Sequence, residues 1–154
     1  MIRFKFGSLL AFLIALSGAL CLPSRADAEC TAATIGNTYG FHHQGFAGNA
    51  TPNPLKVSAY VPVAGVGETT FTATSDTGGT ISGFQNLSFG GAQIQPTFTG
   101  TYTVNAPKCT GTITVVFQDG PGPLLDFVIV KGGEEITFLE KTPGVVLQGV
   151  MDKE

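Results

Sequence analysis

Residues 97–117 read TFTGTYTVNAPKCTGTITVVF and decide the fold class. One pattern occurs twice: Thr99-Gly100-Thr101-Tyr102-Thr103-Val104, then Thr110-Gly111-Thr112-Ile113-Thr114-Val115. Each copy alternates a small polar residue with a larger or apolar one, the period of a strand with one buried face. Between them, Asn105-Ala106-Pro107-Lys108 supplies turn chemistry. The stretch is therefore a β-hairpin. Its register follows from burial, because a slip of one residue sends every side chain to the opposite face. Facing residues must have position numbers that sum to an odd value, which Asn105 opposite Thr110 satisfies with a four-residue loop, 106–109. Phe98, Gly100, Tyr102 and Val104 then share a dry face with Ile113, Val115 and Phe117. Thr99, Thr101, Thr103, Thr112 and Thr114 line the other face.

More strands of this kind flank the hairpin. Residues 37–46, NTYGFHHQGF, form a first strand with Tyr39, Phe41 and His43 on one face. After a loop at 48–54, residues 56–66 form an apolar strand in which Pro62 marks an edge, a bulge or a bend. Residues 69–75 alternate again, 76–79 turn, and 80–89 return as a more polar strand before Gly90-Gly91. Past the central hairpin, residues 118–123 (QDGPGP) read as a loop. The segment LLDFVIVKGGEEITFLE then forms a second hairpin about Gly132-Gly133. With Lys131 opposite Glu134, Ile129 meets Ile136 and Phe127 meets Phe138. Residues 145–151 are a last strand, and the tail DKE is expected to fray. Eight or nine short strands joined by tight turns, with no 3.6-period segment beyond the leader, predict an all-β, small antiparallel meander barrel, with a β-sandwich as the alternative. A closed barrel also removes exposed edges.

The leader is residues 1–28. Arg3 and Lys5 precede an apolar run, and Ala26-Asp27-Ala28 ends it as a cleavage signal, so export to the periplasm or the exterior is expected. The expected mature chain, residues 29–154, suits one domain and carries no further membrane span. Of eight Lys and Arg, three lie in the leader, and of eleven acids only Asp27 does, which leaves five lysines against ten carboxylates and no arginine. Nucleic-acid binding needs a basic stripe and is excluded on that count. Attraction to anionic lipid is weak for the same reason. Cys30 and Cys109 form an even pair in an exported chain and are expected to make one disulfide.

Candidate chemistry is sparse. His42 and His43 are adjacent on a strand and point to opposite faces, so they cannot readily share a metal. His43, on the Tyr39 and Phe41 face, is a candidate polar anchor at a barrel mouth. Asp126 falls on the polar side of its hairpin and is expected to be solvated; Glu134-Glu135 and Glu140-Lys141 read as exposed hairpin charges. No nucleophile elbow, zinc-protease or phosphate-loop motif occurs, and no metal or cofactor is expected. The aromatic set Tyr39, Phe41, Phe71, Phe98, Tyr102, Phe117, Phe127 and Phe138 falls on the presumed inner face. With His43 it outlines either a packed core or an apolar ligand cavity.

Three blocks carry a resemblance: GNTYGF, TGTYTVNAPKCTGTITV and DFVIVKGGEEITFLEKTPGVVLQG. Together they resemble a group of small exported bacterial β-barrel proteins of unknown function. Relatives often carry an acid before the Gly-Gly turn where this chain has Lys131. More loosely, a Gly/Thr-rich barrel with GTYT segments is similar to calycins (lipocalins, avidins) and to allene-oxide-cyclase-like barrels. Those architectures imply apolar-ligand binding or cyclase and isomerase chemistry, and no catalytic residue of either carries over. Three expectations follow: a barrel binding a small apolar ligand, a cofactor-free isomerase or cyclase using the same cavity with His43 and a tyrosine, or a structural or surface interaction protein with a filled core.

Overall fold

The computed structural model describes residues 30–48 and 60–154. The leader, the loop at 49–54 and the start of the expected second strand lie outside the described residues. Nine strands follow: β1 Thr38–Gly48, β2 Tyr60–Ser75, β3 Gly78–Phe89, β4 Ala92–Ile94, β5 Thr97–Asn105, β6 Thr110–Phe117, β7 Gly120–Val130, β8 Glu135–Glu140 and β9 Val145–Lys153. With β4 set aside, neighbours in sequence are neighbours in space and antiparallel, and pairing of β1 with β9 and of β2 with β3 closes eight of the strands into a barrel. The sandwich alternative is thereby set aside. The ninth strand, β4, pairs with the end of β3 on the edge that β5 also uses, so it continues the line of β5 after a break at residues 95 and 96.

Both hairpin registers are as read from alternation. Asn105 pairs with Thr110 and Tyr102 with Ile113, and the outward threonines meet, with Thr103 and Thr112 hydroxyls 2.9 Å apart. Ile129 pairs with Ile136 and Phe127 with Phe138. The chain around Gly132-Gly133 is a short 3₁₀ turn in which Lys131, Gly132 and Gly133 all take positive φ. Three boundaries differ. Residues 60–75 are a single sixteen-residue strand where a break near 67–68 was expected. Pro62 lies at its outer end, just before pairing with β3 begins at Val63. The expected loop at 118–123 shrinks to Gln118 and Asp119, because the irregular start of β7 absorbs Pro121 and Pro123 as prolines require. The tail does not fray: Lys153 N–H donates to Glu134 O at 3.0 Å and Glu154 N–H to Thr38 O at 3.1 Å.

The unexpected strand continuity has a packing cause. Inward glycines stand across the sheet from inward rings: Gly67 from Phe41, Gly65 from His43, Gly83 from Phe98, Gly111 from Phe127 and Gly149 from Phe138. A Cβ on Gly67 would lie 2.1 Å from Phe84 O and 2.7 Å from Phe41 Cζ, and one on Gly83 would lie 2.1 Å from Glu68 O and 2.7 Å from Phe98 Cζ. Glycine here makes room for a ring and lets the sheet curl tightly, rather than ending a strand.

The two ends of the barrel differ. At one end a 3₁₀ turn, Ala32–Ile35, plugs the interior, with Ala32 and Ile35 fully buried. The Cys30–Cys109 disulfide ties this plug to the β5–β6 loop across a Cα–Cα distance of 5.1 Å. Tyr39 O–H donates to Gly133 O at 2.5 Å and Tyr102 O–H to Ala32 O at 3.3 Å, while Ala32 N–H donates to Asp76 O at 2.8 Å. The other end carries the β3–β4 projection and the β6–β7 and β8–β9 connections. Among the described residues it is open.

Candidate functional site

Strand alternation sends two stacks of rings into the barrel. Nearest the plug, Tyr39, Phe71 and Tyr102 meet edge to face, with centroids 5.5 Å and 5.1 Å apart. Burial pushes the Tyr39 phenol up to about 12, with Glu134 and Tyr102 adding to it, and burial raises Tyr102 as well. Both hydroxyls are committed to backbone carbonyls, so this layer is structural. Toward the open end a second chain runs Phe117, Phe98, Phe41, His43, at centroid separations of 6.4, 6.2 and 6.0 Å. Phe117 and Phe98 meet edge to face at 87°, Phe98 and Phe41 are tilted at 60°, and Phe41 and His43 stack at 20°.

A cavity of about 220 Å³ remains within this second layer and opens at the mouth. Phe41, His43, Phe71, Phe98, Phe117 and Phe138 line it; Tyr39, Tyr102 and Phe127 do not, and pack below it as core. Val63, Ile81, Leu87, Val115, Leu125 and Leu147 complete most of the apolar wall. Above it, Phe89 lines the mouth from the β3 end of the projection that β4 completes; Phe89 and the neighbouring Ile94 on β4 are both about half exposed.

The polar groups are few and placed by register. His43 is 8% exposed, set into the wall rather than at the rim where the sequence suggested it. Its Nε2 lies 2.9 Å from Gln85 Oε1. An amide oxygen accepts, so Nε2 carries the proton and Nδ1 is the free acceptor. Burial pushes the imidazole below its ordinary range, against the opposing pull of the Gln85 bond, and His42 on the outer face lowers it further, so the ring is neutral at physiological pH. His43 Nδ1 and Thr69 Oγ1 are both buried with no hydrogen-bond partner among the described residues. Both residues belong to the cavity lining, and unpaired buried polar atoms are uncommon enough to need a reason.

Glu140 corrects an expectation. Alternation along β8 puts Ile136, Phe138 and Glu140 on the inner face, and Glu140 lines the cavity half-buried instead of standing out as a hairpin charge. Burial pushes its carboxyl up, partly countered by a hydrogen bond from the Thr142 side chain. Lys141 points outward to Asp126 at 3.1 Å, which makes Asp126 the solvated carboxylate expected. Gln85, Thr69 and Glu140 are the site residues that sequence reasoning missed. Glu140 had a legible signal in its even spacing from Ile136 and Phe138, and Thr69 had the same in its spacing from Phe71.

Solved β-barrels share this architecture. "Structure of EF1p2_mFAP2b bound to DFHBI" aligns with TM-score 0.59 at 10% identity, over 82% of this chain and 99% of that one. "Structure of a redesigned beta barrel, mFAP0, bound to DFHBI" gives 0.55 at 13%, over 78% and 99%. A fluorescence-activating beta barrel designed de novo gives 0.54 at 14%, over 80% and 96%. At such identities the likeness is one of fold, a sharing of closure geometry. No protein-family model matches the chain, and no curated protein does.

Proposed function

We propose that this chain is an exported binding barrel that takes a small, apolar, largely planar molecule through its open end. The observation that carries the reading is the cavity of about 220 Å³, walled by rings and aliphatic side chains and holding two unpartnered buried polar atoms. Apolar pockets with a few fixed polar groups are the usual form of a small-molecule site. The volume lies below the roughly 300 Å³ at which drug-sized pockets begin, so the ligand has one or two rings or a short aliphatic body. Two structurally similar barrels are described as bound to the dye DFHBI, which supports ligand occupancy of such an interior. Export is supported by the leader pattern, by a disulfide that oxidising compartments preserve, and by the block-wise resemblance to exported bacterial barrels.

The isomerase or cyclase alternative is less well supported. It asks for a tyrosine beside His43, yet Tyr39 and Tyr102 donate to backbone carbonyls in the plugged layer. The filled-core alternative is at odds with the open volume.

Titration with DFHBI and with a neutral naphthalene probe, read by fluorescence, tests the proposal. Val115→Phe fills the wall and is expected to abolish binding, whereas Val116→Phe, on the outer face, leaves it intact. Equal behaviour of the two variants, or no binding of either probe to the parent protein, would overturn it. Fractionation of the native host with detection of the chain tests export; a cytoplasmic pool retaining residues 1–28 contradicts it.

A further inference from the structure

The cavity reading leaves the polarity of the ligand open, and Glu140 bears on it. Of the residues lining the cavity, His43 and Glu140 carry its titratable side chains. His43 is neutral and presents an acceptor. Glu140 is a half-buried carboxyl in the cavity lining, opposite Leu125 in the sheet, and among the described residues the Thr142 side chain is its one bonded partner. The lysines of the described residues are engaged or distant. Lys141 turns outward to Asp126, Lys153 pairs with Glu134 at 3.0 Å, Lys131 pairs with Glu135, and Lys108 sits in the plugged-end turn. A carboxylate held partly out of water without a cation is costly, and one that meets a cation in the same place recovers much of that cost. The rings beside it add to this, since aromatic faces attract organic cations and do so most strongly where water is excluded. The expected mature chain, with ten carboxylates against five lysines, also draws cations toward it.

We propose that Glu140 selects an apolar organic cation: a ring or short aliphatic body that fills the aromatic cavity, carrying a protonated amine or quaternary ammonium that stops at the mouth. This rests on the cavity reading and names its ligand class. Nothing in the lining offers an anion a partner of opposite charge, so a carboxylate-bearing ligand of the same shape is disfavoured.

Three probes with one body separate the two readings: 2-naphthylmethylammonium, 2-naphthylmethanol and 2-naphthoate. They are titrated calorimetrically into the full disulfide-bonded chain at neutral pH and low ionic strength. The cation is expected to bind about tenfold tighter than the alcohol, and the anion more weakly than both. Glu140→Gln is expected to bring the cation to the alcohol's affinity, and retained binding of the alcohol shows that the variant is folded. If the alcohol binds and the cation gains nothing over it, or if Glu140→Gln keeps the preference, the cation inference fails and the cavity reading stands. If none of the three binds, both fail together.

Discussion

Tyr39 offers the sharpest test of how the plugged end is held. Its side chain is fully buried, its ring meets Phe71 edge to face, and its hydroxyl donates to Gly133 O at 2.5 Å. Tyr39→Phe keeps the ring and deletes the donor, leaving a carbonyl without its partner in a buried turn. That costs about 1–3 kcal/mol. The same residue also predicts an alkaline transition. In the folded protein the phenol is pushed from 10.0 up to about 12, so the folded state binds this proton more tightly than the unfolded chain does. Below pH 10 both states are protonated and the contribution is whole. As pH rises from about 10 toward about 12 the unfolded chain ionises first, and stability falls. At about 1.4 kcal/mol for each tenfold in proton affinity, the step from 10.0 to about 12 is worth about 3 kcal/mol. Tyr102, raised in the same direction, adds to the slope. Urea midpoints of the parent, Tyr39→Phe and Tyr102→Phe proteins, measured on both sides of this window, separate the two. The parent should lose stability across the window, and Tyr39→Phe should be weaker at neutral pH yet flatter above 10. Parallel curves for parent and Tyr39→Phe would refute the assignment of the slope to this phenol.

Two further outcomes are expected. The Cys30–Cys109 bridge spans 79 positions, for which the chain-entropy relation gives about 4.5 kcal/mol. Replacing both cysteines by alanine should lower the urea midpoint accordingly, and a loss below about 1 kcal/mol would mean that the tyrosine and backbone bonds hold the plug unaided. Gly67→Ala would put a Cβ 2.1 Å from Phe84 O, 2.7 Å from Phe41 Cζ and 2.8 Å from Gln85 Cα, so a loss of about 1–3 kcal/mol is expected. Adding Phe41→Leu should restore little of it, because the carbonyl and Cα of the neighbouring strand stay in place, and a double-mutant cycle measures the share that belongs to the ring.

What the chain reveals of itself depends on the distance over which the information acts. The two hairpins were legible because alternation and a short turn fix register within about twenty residues, as at Asn105 with Thr110 and Ile129 with Ile136. Burial of Tyr39, Phe71 and Tyr102 followed from the same alternation. The continuity of residues 60–75 was not legible, because Gly65 and Gly67 look like punctuation until the rings of His43 and Phe41 are known to lie across from them. The His43–Gln85 bond joins positions 42 apart and gives no local sign. Glu140 was readable in principle but stands beside a turn, where a charge is ordinarily solvated.

The ring-and-glycine pairs reach beyond packing. Each couples two positions that are remote in sequence, and the glycine is held by more than the ring: a Cβ on Gly67 or on Gly83 would also lie 2.1 Å from a backbone carbonyl of the next strand. Variation in the bore of this barrel should therefore keep the glycines and fall on the rings across from them. Phe41 with Gly67, Phe98 with Gly83 and Phe138 with Gly149 pair a cavity-lining ring with the glycine that admits it. The glycines of those three pairs are thus fixed points, and a change of ligand would be written into the rings that face them.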